Sequence, residues 1–94
     1  MKVLANKQGY QLLLLRVKSE DSNETRPFIV GLCEQKAKKL LQKVELTVLD
    51  FERDEIVCFF QKEEEVTYEV IQSSIEYFNK HFVKNEKMKS SFKI

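Results

Sequence analysis

Hydrophobic positions in the first third of the chain recur with a period of two. In Tyr10 to Lys18, Leu13, Leu15 and Val17 fall on one side and Leu12, Leu14 and Arg16 on the other, which predicts a strand apolar on both faces for most of its length. Lys2 to Ala5 predicts a short extended segment before it. Asn6-Lys7-Gln8-Gly9 is a polar turn ending in the residue most tolerant of positive φ, so the two segments read as an N-terminal hairpin. Ser19 to Arg26 is wholly polar and Pro27 biases Arg26 toward extended geometry, so this stretch is a loop. Phe28 to Leu32 resumes as a strand, and a flexible surface connection makes antiparallel pairing with residues 10–18 the economical arrangement. Gly31 is then read as easing the turn into a helix.

From Cys33 the period lengthens. Cys33, Ala37, Leu40, Leu41 and Val44 share one face and Glu34, Lys36, Lys38, Lys39 and Lys43 fill the others, predicting an amphipathic helix of about three turns. Glu45 to Phe51 and Glu55 to Gln61 read as two strands of a hairpin around Glu52-Arg53-Asp54. In the second strand Ile56, Cys58 and Phe60 are expected on one face, with Val57 and Phe59 on the other. In the first, Leu46 and Val48 are out of phase with Leu49 and Phe51, which calls for two covered faces or a bulge. Tyr68, Ile71, Ile75, Phe78 and Phe82 step by three and four, predicting a long helix from Glu65 to about Val83. Glu63, Glu64 and Glu65 suit the positive end of its dipole, and Lys80 and Lys84 suit the other end.

The order ββαββα, with a further short strand at the N-terminus, places the chain in the α+β class: a mostly antiparallel sheet packed with two helices. Residues 1–83 form a single domain, and residues 84–94, with four lysines and no periodic apolar pattern, form a basic flexible tail.

Composition narrows the function by exclusion. Sixteen Lys and Arg against fifteen Asp and Glu leave a net charge of +1, so any nucleic-acid or anionic-membrane binding has to come from local clusters. Leu12 to Leu15 is far shorter than the roughly 20 apolar residues of a membrane-spanning helix, and the start lacks a secretory h-region, which points to the cytoplasm. Two glycines and neither phosphate-loop motif exclude P-loop or Rossmann nucleotide binding. Two separated cysteines and one histidine make no zinc spacing, and no cofactor, metal or small-molecule substrate is expected.

The remaining reactive residues point weakly to catalysis. His81 names no partner acid or nucleophile within its own segment. Cys33, at the start of a helix, has the position of an activated thiolate, but Leu32 and Ala37 favour a packed structural thiol. Cys58, inside Ile-Val-Cys-Phe-Phe, reads as core. The carboxylates at Asp50, Glu52, Asp54 and Glu55 surround a turn and those at Glu63 to Glu65 open a helix, where such groups are ordinarily solvated. No catalytic residue is assigned, and the chain is not expected to be an enzyme.

Two surfaces remain. Val66, Val70 and Tyr77 form a second apolar stripe on the final helix, and Leu12, Leu14, Val57 and Phe59 give the sheet a second apolar face, so this surplus predicts contact with another protein and with a second copy. The expectation is a non-enzymatic regulator, inhibitor or adaptor. The alternative is nucleic-acid binding through Lys36, Lys39 and Lys43 on the first helix with Lys80, Lys84 and Lys87. It draws on an uneven charge distribution: residues 1–79 hold eleven bases against fourteen acids, and residues 80–94 hold five lysines against Glu86.

Overall fold

The computed structural model describes the backbone of residues 1–92 and the side chains of residues 1–82. Its elements are β1 (Lys2–Lys7), β2 (Tyr10–Lys18), β3 (Thr25–Cys33), α1 (Glu34–Leu41), β4 (Ile56–Phe59) and α2 (Tyr68–Phe92), with short 3-10 turns at Val48–Asp50, Arg53–Glu55 and Glu63–Glu65. The result is an α+β domain, a four-stranded antiparallel sheet in the order β1-β2-β3-β4 with two helices. The expected flexible tail at 84–94 falls where side chains, and at 93–94 the backbone too, lie outside the described residues.

The N-terminal hairpin closes on Gln8 and Gly9, whose φ values of 52° and 84° are the pair that a two-residue turn of matching twist requires. β2 and β3 then pair without interruption from Tyr10↔Cys33 to Lys18↔Thr25. Leu13, Leu15 and Val17 face the same way as Val30, Phe28 and Leu32, and α1 covers them with Ala37 and Leu40. Leu12 and Ile29 face the opposite way and are covered by Phe78 and Phe82 of α2. The two helices therefore pack on opposite faces of the sheet, which is why its central strands are apolar on both sides.

Gly31 has its own role in the second layer. A Cβ there would sit 2.4 Å from Phe82 Cζ, so the ring lies directly on the strand backbone. Close approach, rather than the turn into α1, explains this glycine.

Several expected elements are corrected. α1 is shorter than its pattern and stops at Leu41, where Gln42 and Lys43 donate to the carbonyls of Lys39 and Leu40 as the chain tightens out of the helix. Val44 is consequently fully exposed, Leu41 is half exposed, and Cys33 is exposed at the N-cap rather than packed. Residues 45–51 do not form a strand of a hairpin with 55–61. They return to the sheet through a single parallel bridge, Lys18↔Thr47, with Lys18 N–H donating to Leu46 O at 2.8 Å, and then enter the first 3-10 turn. Three residues per turn put Val48 and Phe51 on one side, both against the α1 core, and leave Leu49 77% exposed, which resolves the phase conflict in this segment.

β4 pairs with β3 instead, with Phe28↔Phe59, Ile29↔Cys58 and Val30↔Ile56 in register and a shift between Ile29 and Val30. Val57 is the extra residue, so Ile56 and Phe59 face α1 while Val57 and Cys58 face α2. The simple alternation expected for this strand is broken by that bulge. In α2 the inward line is Val70, Ser74, Phe78 and Phe82 with Ile75 beside it, whereas Tyr68 is 74% exposed. Ser74 is buried because its hydroxyl donates to Val70 O at 2.8 Å and meets Cys58 Sγ at 3.6 Å.

Candidate functional site

The seven apolar residues expected to form one interaction surface do not share one. Leu12 is fully buried beneath α2, and Leu14, Val57, Val66 and Val70 are half-buried against the same layer. Most of the surplus apolar area is thus used inside the chain. Phe59 is 58% exposed but lies on the α1 face, its ring stacked on Phe28 with centroids 5.4 Å apart. Tyr77 is exposed on α2, its ring 4.1 Å from that of His81.

The basic residues are divided as well. Lys36 pairs with Glu55 and Lys43 with Asp50, while Lys39 is exposed on α1 and Lys80 on α2, across the sheet from each other. The side chains of Lys84 and Lys87 lie outside the described residues. Asp50 is more than a counterion, since it also accepts from Thr47 N–H at 2.8 Å and so closes the first 3-10 turn. The Lys43 ammonium, followed by the Thr47 amide, holds its carboxyl below the ordinary value of 3.8.

Tyr68 and Tyr77 are exposed on α2, and a separate group of exposed apolar residues lies on the α1 side of the sheet. α1 sits over β2 and β3, and on the α1-facing side of β1 Val3, paired with Leu13, is exposed. A groove of about 470 Å³ runs between β2 and the end of α1 with the chain that leaves it. Leu13 and Leu15 line it from the sheet, Leu40, Leu41 and Val44 from α1 and its exit, and Met1 from just before β1. The charged groups nearby are already engaged: Lys43 with Asp50, Arg16 with Glu63 at 2.9 Å, and Glu45 with Lys18. Met1, Val3, Leu41 and Val44 were not signalled by periodicity as surface. The apolar periodicity runs on to Val44 and carries no mark of the helix ending at Leu41, which is what leaves Leu41 and Val44 exposed.

A second concavity, of about 480 Å³, opens at the other end of β3, between that strand, α2 and the acidic turn. It gathers Cys33, His81, Tyr10, Tyr77 and the carboxylates of Glu52, Asp54 and Glu55. Tyr10 meets Phe82 edge to face at 5.9 Å, which holds the floor of the cleft beside Gly31. Cys33 and His81, far apart in sequence, thus line one cleft. Cys58 is elsewhere, half-buried, with burial pushing its thiol up against the smaller opposing effect of Ser74.

Among the described residues no group of three or more His, Cys, Asp or Glu is arranged to hold a metal, and no helix is long and apolar enough to cross a membrane. In comparison with known proteins, no family model, no curated protein and no solved structure matches this chain.

Proposed function

We propose that the chain is a small non-enzymatic protein-binding domain of the cytoplasm, acting as a regulator, inhibitor or adaptor through the groove on the α1 side of its sheet. The observation that carries this reading is the grouping of Met1, Leu41 and Val44, all exposed, around a groove whose inner wall is Leu13, Leu15 and Leu40, with Val3 exposed on the same face of the sheet beside Leu13. Exposed apolar side chains cost little singly, but a contiguous patch beside a concavity is what a protein partner buries. The ion pairs around it leave an electrically quiet border, suited to contact through shape and apolar area.

The test is the mass of the protein in native extract and after purification with nuclease, by light scattering at low and high salt. A species well above the 11.2 kDa of one chain, stable in high salt and lost in Leu41→Ser/Val44→Ser, is the expected result. A second copy in that species makes the groove a dimer interface, and a different chain makes it an adaptor surface. A monomer in every condition removes the proposal. Bound material absorbing at 260 nm and stripped by salt would replace it with nucleic-acid binding.

A further inference from the structure

The cleft between the end of β3 and α2 has a chemistry the groove lacks. Its rim carries three carboxylates within four residues, Glu52, Asp54 and Glu55, on the 3-10 turn. Glu55 is engaged, accepting from Lys36 Nζ and, at 2.7 Å, from Glu52 N–H. Among the described residues no ion pair is made by Glu52 or Asp54, so two carboxylates line the cleft outside any salt bridge, with Arg53 the one base in the same turn. Its other wall is aromatic: Tyr77 and His81 with ring centroids 4.1 Å apart, and Tyr10 against Phe82. Carboxylates on one side and π faces on the other favour a flat, weakly hydrated cation over a compact ammonium, because a guanidinium both stacks on rings and donates in a fork to carboxylates.

We propose that this cleft receives the guanidinium of an arginine side chain presented by a partner protein. Glu52 and Asp54 accept its N–H groups, and the Tyr77 and His81 rings support its plane. The site is separate from the apolar groove and does not depend on it. Arginine is a frequent anchor of protein interfaces because its charge and its flat apolar faces are satisfied together, and this cleft offers both.

Three features of the chain make the test direct. His81 is its single histidine, two of its three tyrosines line the cleft, and Cys33, exposed at the same place, is one of only two cysteines. The probe is the peptide acetyl-Gly-Arg-Gly-amide, titrated while following the His81 imidazole resonances by NMR and the alkylation rate of Cys33 by mass spectrometry. The expected result is a saturable His81 shift, with Cys33 alkylation falling by about half at the half-saturating concentration. The citrulline peptide, equal in shape but uncharged, leaves both readouts unmoved, and the lysine peptide binds more weakly than the arginine one. Glu52→Gln/Asp54→Asn, with an unchanged far-ultraviolet spectrum, loses the shift. Free arginine, whose own carboxylate would meet the acidic rim, binds less well than the peptide. No shift with the arginine peptide, an equal shift with citrulline, or binding that survives the double substitution overturns the proposal. Tighter binding of free arginine than of the peptide also overturns it, making the site one for a small molecule.

Discussion

At Gly31 a single hydrogen atom decides how closely α2 can approach the sheet. Phe82 lies on that strand backbone where any Cβ would collide with the ring, so Gly31→Ala forces the helix or the ring outward. The expected cost is about 1–3 kcal/mol, typical of overpacking a filled core. Phe82→Leu makes room, and urea unfolding of both single variants and the double variant should show the alanine to be less damaging when the ring is gone. Additive losses would mean that the ring and the glycine do not meet in solution. The two cysteines give a second contrast at this scale. Cys33 is exposed and Cys58 is half-buried with its thiol pushed up, so iodoacetamide at neutral pH should modify Cys33 in the folded protein and Cys58 only after unfolding. Equal rates in the folded state would contradict the placement of Cys58 against Ser74.

The segment between α1 and β4 shows how an element can depend on one carboxylate. Asp50 ties the first 3-10 turn to Thr47 and to Lys43, and these contacts depress its folded pKa below 3.8. A depressed carboxylate contributes stability that is fully present above the unfolded value and is lost as pH falls through the lower, folded one. Asp50→Asn should therefore cost about 1 kcal/mol at pH 6, from a weakened charge-assisted contact, and progressively less as both proteins are taken to pH 3 and below. A constant difference between the two unfolding curves across that range would rule out this linkage. The same segment marks the limit of what periodicity can convey. β2, β3 and α2 are legible because each buries a long run of regularly spaced side chains, the two strands on both faces and the helix on one, and the pattern follows. Residues 45–51 bury Val48 and Phe51 with the three-residue spacing of a 3-10 turn, a period short enough to mimic a strand with a slipped phase. The bulge at Val57 reverses part of β4 for want of any local signal, and Ser74 hides the inward line of α2 behind a polar residue that is satisfied only by its own helix and by Cys58. Cys33 and His81 are individually visible in the sequence, but the cleft that joins them exists only once β3 and α2 are packed.

For the whole molecule, one sheet serves two apolar layers, and the layers differ in what closes them. The α1 layer is filled partly by the irregular chain around Leu46, Val48 and Phe51, while the α2 layer rests on Phe78 and Phe82 from one helix. Phe78→Ala should cost about 3–5 kcal/mol in urea unfolding, because the ring is fully buried and α2 cannot collapse onto the space without losing Phe82. Leu41→Ser/Val44→Ser, unfolded at a concentration where both proteins are monomeric, should leave the midpoint nearly unchanged, since in the single chain Val44 is fully exposed and Leu41 half exposed. A large loss there would mean that these residues already have a covering within the monomer.

The sheet runs in chain order, each strand beside the one before it, and that order has a consequence for synthesis. The pairings of β1, β2 and β3 can close behind the growing chain over short loops, and β4 joins after the longer connection of residues 34–55 that carries α1 and two 3-10 turns. The sheet can thus be assembled while the residues that cover its second face are still being added. Until Phe78 and Phe82 emerge, Phe60 is the one other buried aromatic in the layer of Leu12 and Ile29 among the described residues, and most of that face lacks its cover. A nascent chain arrested before α2 should expose that face to dye binding and chaperone capture, and one released just after Phe82 should not.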